Sequence, residues 1–120
     1  MENPAFQSEY KKTKKEAREI YNKIGRVWCP ALNDYIVFNR TGFRHLLRKN
    51  SLPRARNEQK RRFALLPQSA LILSDPFVNI THRKEGKFDF WAFTKEHNNR
   101  KIKVIIRQIG EHQKHFFSIF

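Results

Sequence analysis

Helical periodicity in the first half of the chain and alternating β-rich runs in the second predict an α+β fold. It consists of an N-terminal helix and hairpin, then two helices packed on a four-stranded antiparallel meander. Three observations carry this. Apolar residues between Phe6 and Ile24 recur at helical steps. Four β-branched or aromatic runs follow residue 76, separated by turn-forming residues. The 120 residues are 39% hydrophobic, with eleven Phe, three Tyr and two Trp, which is enough apolar surface for one folded core.

Taken in order, Phe6, Tyr10, Ala17, Ile20, Tyr21 and Ile24 form the stripe of a helix over residues 6–23, with Lys11, Lys12, Lys14 and Lys15 toward solvent and Gly25 as its stop. Residues 1–24 are read as an N-terminal amphipathic extension and 25–120 as the main domain. Residues 26–30 and 35–38, joined by Ala-Leu-Asn-Asp, read as a hairpin. Thr41 is a fitting N-cap for a short helix through Lys49. Residues 50–53, Asn-Ser-Leu-Pro, break it. A second helix runs from about Arg56 to Leu73, with a bend expected at Pro67. The runs after Pro76 form the meander, and short connections make its neighbours antiparallel.

Charge narrows the function. The formal net charge is +14 and the pI about 10.4, so the expected partner is acidic, with nucleic acid first among the choices. No apolar run approaches the roughly 20 residues that span a bilayer, so no membrane partner is expected. The N-terminus has no apolar core of signal-peptide length. The single cysteine, Cys29, excludes an internal disulfide and fits a reducing, cytoplasmic setting.

Basic charge is concentrated between Arg40 and Arg62, where Glu58 is the one acid and His45 sits among the arginines. An arginine cluster can hold phosphate while the histidine exchanges a proton. On the 41–49 helix, Phe43, Leu46 and Leu47 share one face. Thr41, Arg44, His45, Arg48 and Lys49 share the other, which puts His45 at the edge of a basic face. Arg54 and Arg56 add charge near the start of the next helix, where backbone N–H groups also favour anions. Arg44, Arg48, Lys49, Arg54, Arg56, Lys60 and Arg61 are therefore the candidate nucleic-acid contacts.

In the 101–107 strand, Ile102, Val104 and Ile106 oppose Lys103, Ile105 and Arg107. In the last strand, His115, Phe117 and Ile119 oppose Lys114, Phe116, Ser118 and Phe120. Which face is buried stays open at this level. If the apolar sets face the helices, Arg107 and Ser118 lie on the opposite face. Phe88, Phe90 and Ala92 alternate with Trp91 and Phe93, so one face of that strand could also offer stacking surfaces to single-stranded nucleic acid. The histidine and cysteine spacing makes no metal site. No glycine-rich phosphate loop or nucleophile elbow occurs, and the acids are scattered rather than clustered.

Arg-Val-Trp-Cys-Pro-Ala-Leu at 26–32 and Arg-Thr-Gly-Phe-Arg-His-Leu-Leu-Arg-Lys at 40–49 give the chain a recognisable cast. With the arginine-rich helix ending in Asp75-Pro76 and the closing aromatic-serine strand, it resembles the phage-associated BECR nuclease-like domains. These are named for barnase, EndoU, colicin nucleases and RelE. The resemblance spans residues 25–120. It implies a small, toxin-like or phage-associated endoribonuclease that cleaves RNA through the ribose 2′-OH, without metal or cofactor. It also implies His45 as general acid or base, Arg107 as phosphate clamp and Ser118 as the group that orients a phosphate oxygen or the substrate hydroxyl. Arg48 and Arg56 would contact the backbone, with His115 and Lys95 as secondary candidates. A toxin of this charge would pair with an acidic antitoxin or inhibitor protein, with the first helix as one candidate contact. A non-catalytic RNA- or ribosome-binding module on the same fold is the alternative.

Overall fold

The structure, a computed structural model, describes residues 4–120, with side chains from Ser8 onward. The side chain of Phe6 lies outside the described residues. The elements are α1 (Pro4–Ile24), β1 (Arg26–Cys29), β2 (Asp34–Val37), α2 (Arg40–Leu47), β3 (Arg48–Lys49), β4 (Leu52–Pro53), α3 (Arg56–Ser74), β5 (Asn79–Glu85), β6 (Phe88–His97), β7 (Arg100–Ile109) and β8 (His115–Ile119). Three helices and a mostly antiparallel sheet make the chain α+β.

The expected meander is present, but the sheet has six strands, in the order β1-β2-β8-β7-β6-β5. The hairpin joins the meander through one parallel pairing, Val37 with His115, supported by Val37 N–H donating to the Lys114 carbonyl at 3.0 Å. A parallel join needs a long crossover connection, here everything between β2 and β8, so no local pattern announces it.

Turn chemistry also shifts several boundaries. Asn98 and Asn99 both take positive φ (51° and 61°), the geometry of a two-residue hairpin turn. β6 and β7 therefore run up to that turn, and Glu96, His97 and Arg100 are strand. Gly86, at φ 57°, does the same between β5 and β6. Asn39, rather than Thr41, caps α2, its Oδ1 accepting from Gly42 N–H at 3.1 Å. α2 stops at Leu47 rather than Lys49, because Asn50 at φ 57° turns the chain into the β3–β4 hairpin. α3 continues through Pro67.

The core lies between the helices and one sheet face. Phe93, Val104, Ile106, Phe116 and Ile119 are buried on that face, against Leu46, Phe63, Leu66 and Leu73 from the helices. Tyr21 of α1 is central. Its ring packs against Phe38, Phe43 and Phe116, and its hydroxyl donates to the Asn39 carbonyl at 2.5 Å. α1 is thereby tied to the loop that starts α2. No helix among the described residues is long and apolar enough to cross a membrane.

β2 meets β8 only at its start, so from Phe116 onward no strand covers that edge of β8, and α2 packs there. The approach is so close that a Cβ on Gly42 would overlap the Phe116 carbonyl and the Tyr21 hydroxyl. Both atoms are fixed, one in backbone and one by its hydrogen bond. Gly42→Ala should therefore cost about 3 kcal/mol in chemical denaturation, at the upper end for overpacking. An unchanged midpoint would show that α2 does not sit this tightly on β8.

Candidate nucleic-acid interface

The sheet face opposite the core is half-exposed, and a cleft of about 530 Å³ opens on it. Its floor comes from Thr81, Phe90, Ala92, Ile105, Phe117 and Ser118. Its rim holds Lys49, Arg54, Arg62, Arg83 and Lys103, with His45 among them.

A bulge in β8 builds this floor. Ile105 pairs with Ser118 but Ile106 pairs with Phe116, so Phe117 is the extra residue. The strict alternation expected for the last strand is therefore broken. Phe116 and Ile119 are core residues, whereas Phe117 and Ser118 both serve the cleft side. Phe117 is the meeting point: its ring centroid lies 4.2 Å from that of His45, 5.6 Å from that of Phe90 and 4.5 Å from the Arg107 guanidinium carbon.

Arg107 is held from behind. Its Nε donates to Nε2 of buried His115 at 3.1 Å, and its guanidinium also lies over Phe88, 5.1 Å from the ring centroid. That bond uses the Nε2 lone pair of His115. Burial and the Arg107 charge push the His115 pKa down, in keeping with a neutral ring. His115 therefore positions Arg107 and leaves the guanidinium's two NH2 groups for other partners.

Arg62 is only 8% exposed and links α3 to β8. Its Nη1 donates to Ser118 Oγ at 2.7 Å and to the Ile119 carbonyl at 3.0 Å, and its Nε donates to Glu58 at 2.9 Å. Glu58 also accepts from Arg61. The Arg61 and Arg62 hydrogen bonds hold its carboxyl down to about 2. Ser118 thus accepts from Arg62 and keeps its own proton to donate.

Arg54 closes α2 from the other side. Its Nε donates to the His45 carbonyl at 3.0 Å and its N–H to the Leu47 carbonyl at 2.8 Å, satisfying the last turn of the helix. Gln59, 5% exposed, donates to the Arg54 carbonyl at 2.8 Å and accepts from the Tyr10 hydroxyl. A chain of contacts therefore runs from α1 to the cleft rim.

His45 is half-buried, with its pKa lowered to about 4 by burial first and then by the charges of Arg54, Arg62, Arg107 and Lys49. Proton exchange near neutral pH, expected from the sequence, is thus suppressed in the free protein, where the ring is neutral at pH 7. Its Nδ1 is buried and has no hydrogen-bond partner among the described residues. Lys49, Arg54, Lys103 and Arg107 form no salt bridge with any described carboxylate.

The structure brings together His45, Lys49, Arg54, Ser118 and, across Phe117, Arg107. It places the other candidates elsewhere. Arg44 lines a separate groove between α1 and α2. Arg48 is exposed on β3 and donates to the Ser51 carbonyl at 3.0 Å. Arg56 lies over the Tyr10 ring of α1, Arg61 pairs with Glu58, and Lys60 is half-buried on α3. Lys95 pairs with Asp75 at 3.0 Å. Of the strand proposed for stacking, Phe93 is buried in the core and Trp91 packs against it. Phe90 lines the cleft, with the Phe88 ring beside it. Sequence reasoning missed Arg62, Lys103, Arg83 and Phe117, and it named Phe90 only as part of a strand with one face open to stacking. The alternation that put Lys103 and Arg107 on one face was the available signal for Lys103. The bulge left none for Phe117.

Among the described residues, no group of three His, Cys, Asp or Glu side chains is placed to hold a metal. Compared with known proteins, the chain matches no family, no curated protein and no solved structure.

The lowered His45 and His115 pKa values act on stability with one sign. Below the ordinary histidine value near 6.5, the unfolded chain binds protons that the folded chain refuses until about pH 4 at His45. Stability is therefore full above about pH 6.5 and falls on acidification toward pH 4. His45→Gln should flatten this loss between pH 6.5 and 4.5 when denaturation midpoints are compared. An equally steep loss in the variant would mean that His45 is not held neutral by its surroundings.

Proposed function

We propose that the protein is a small BECR-like endoribonuclease that cleaves RNA by transesterification, without a metal, on the sheet face around His45. The single observation that carries this reading is a neutral imidazole set among cations of which Lys49, Arg54, Lys103 and Arg107 pair with no described carboxylate, whereas Arg62 pairs with Glu58 and Arg83 with Glu85. Such a cleft has positive charge for a phosphodiester and one group able to take a proton at pH 7.

The chemistry assigns roles as follows. His45 takes the proton from the ribose 2′-OH, and that oxygen attacks the adjacent phosphorus. The bond from phosphorus to the 5′-oxygen breaks, leaving a 2′,3′-cyclic phosphate and a 5′-hydroxyl. An ammonium group of the cleft, Lys49 or Lys103, supplies the proton to the departing oxygen. Arg54 and Arg107 stabilise the charge that develops on the phosphorane. Phe90 and Phe117 offer faces for bases to stack on. Binding a phosphodiester offsets the charges that depress His45 and makes the ring more basic, so the base is strengthened when substrate is present.

A binding module without catalysis is the second reading. It is favoured by the internal bonds that occupy Arg62 and Ser118 and by the absence, among the described residues lining the cleft, of a second histidine or a carboxyl group beside His45.

Incubation with mixed-sequence RNA in excess EDTA separates the two. Cleavage to 2′,3′-cyclic ends that spares DNA should fall by about 10²–10⁴-fold in His45→Ala. Arg107→Ala should lower it by about 10²–10³-fold, and His115→Leu should lower it in the same direction by freeing Arg107. Intact RNA in every lane, with tight salt-sensitive binding, would leave only the binding module. In an NMR titration, the His45 pKa should rise from about 4 toward 6.5 when an uncleavable oligonucleotide is added. A pKa that stays put would place the phosphate somewhere else.

A further inference from the structure

α1 is segregated by charge as well as by hydropathy. At about 100° per residue, Lys11, Lys14, Lys15 and Arg18 fall within a strip about 100° wide, while Glu9 and Glu16 lie on the far side and Glu19 flanks the strip next to Lys15. The four cations line one shallow cleft along the helix. Arg18 continues into the groove of about 470 Å³ between α1 and α2, where Arg40 and Arg44 join it. None of these six cations forms a salt bridge with a described carboxylate. A merely solvated helix would gain by pairing Lys12 with Glu16 and Lys15 with Glu19 at i,i+4, and neither pair forms among the described ion pairs.

We propose that this strip and groove are a second phosphodiester-binding surface, along which an RNA strand continues after passing over α2 from the His45 cleft. The inference rests on the ribonuclease or RNA-binding reading of that cleft and extends it to a substrate longer than the cleft can hold. Continuity comes from α2 itself. Arg44 and His45 are consecutive, and the helix turns them about 100° apart, into two adjoining clefts, so one strand crossing the helix meets both sites.

The surface fits a phosphate backbone better than an acidic protein. The rings that floor the groove belong to the core: Tyr21, Phe38 and Phe43 are only 2%, 7% and 6% exposed. An incoming partner therefore meets cations and little exposed aromatic surface. A protein interface would require aromatic or aliphatic anchors at its centre, whereas a phosphodiester needs charge spaced along a line.

The test uses uncleavable 2′-O-methyl RNA of about four and about sixteen nucleotides, bound to the full chain and followed by anisotropy over a range of salt. The variant Lys11→Gln/Lys15→Gln/Arg18→Gln should bind the short oligomer as the wild type does. It should bind the long one about tenfold more weakly or worse, with a salt slope shallower by about two. Lys103→Gln should weaken both lengths. A long-oligomer slope unchanged by the triple substitution would overturn the second surface, as would an equal loss for the short oligomer. If Lys103→Gln changes nothing while the triple variant still loses the long oligomer, the cleft reading fails and the α1 surface stands. Polyglutamate of matched charge should compete poorly for wild-type protein. If it binds tightly through the strip while RNA binding ignores the substitutions, the surface belongs to an acidic protein and the proposal is wrong.

Discussion

The seating of α2 against the free edge of β8 is the constraint on which the rest of this structure depends. Gly42 lets the helix backbone approach the Phe116 carbonyl and the Tyr21 hydroxyl to a distance that no side chain permits. Tyr21 then fixes Asn39, Asn39 caps α2, and the helix starts at one defined residue. His45 follows on the next turn, with its ring on Phe117. The distance between a helix and a strand edge thus decides where an imidazole meets the far face of the sheet.

The second constraint is the bulge. Without an extra residue at Phe117, a regular β8 would place Phe117 and Ser118 on opposite faces. The insertion lets the strand give Phe116 and Ile119 to the core while Phe117 and Ser118 both reach the cleft. Arg62 then crosses from α3 to bond Ser118 and the Ile119 carbonyl where the strand has left its regular path. The irregular stretch is therefore pinned by a buried guanidinium whose charge is balanced by Glu58.

Much of this was legible in the sequence, for reasons that differ by element. The stripe from Tyr10 to Ile24 and the alternation in 101–107 are local patterns with strong periods, and both elements formed as read. Arg107 was assigned to the face opposite the apolar set, and there it lies. The parallel join of β2 to β8 was not legible, because it depends on the packing of α2 and α3 between them. The break of alternation in Phe-Phe-Ser-Ile-Phe was not legible either, since all of its residues suit a strand on either face. Charge density pointed to the stretch from Arg40 to Arg62 but could not divide it. The fold sends His45, Lys49, Arg54 and Arg62 to one side of α2 and Arg40 and Arg44 to the other.

That division gives the cation excess its meaning. Spread evenly, a net charge of +14 would only keep the chain soluble and weaken it by self-repulsion. Here the burden is concentrated: burial first, and then the charges of Arg54, Arg62, Arg107 and Lys49, depress one half-buried ring to about 4, while Glu58 offsets charge at Arg62 and Arg54. Such a site is electrostatically incomplete by itself. An anion placed among these groups would relieve their repulsion and return basicity to His45 in the same step. On the proposed ribonuclease reading, substrate binding and activation of the base would become one event, and the repulsion among the cleft cations would be turned into affinity for a phosphodiester.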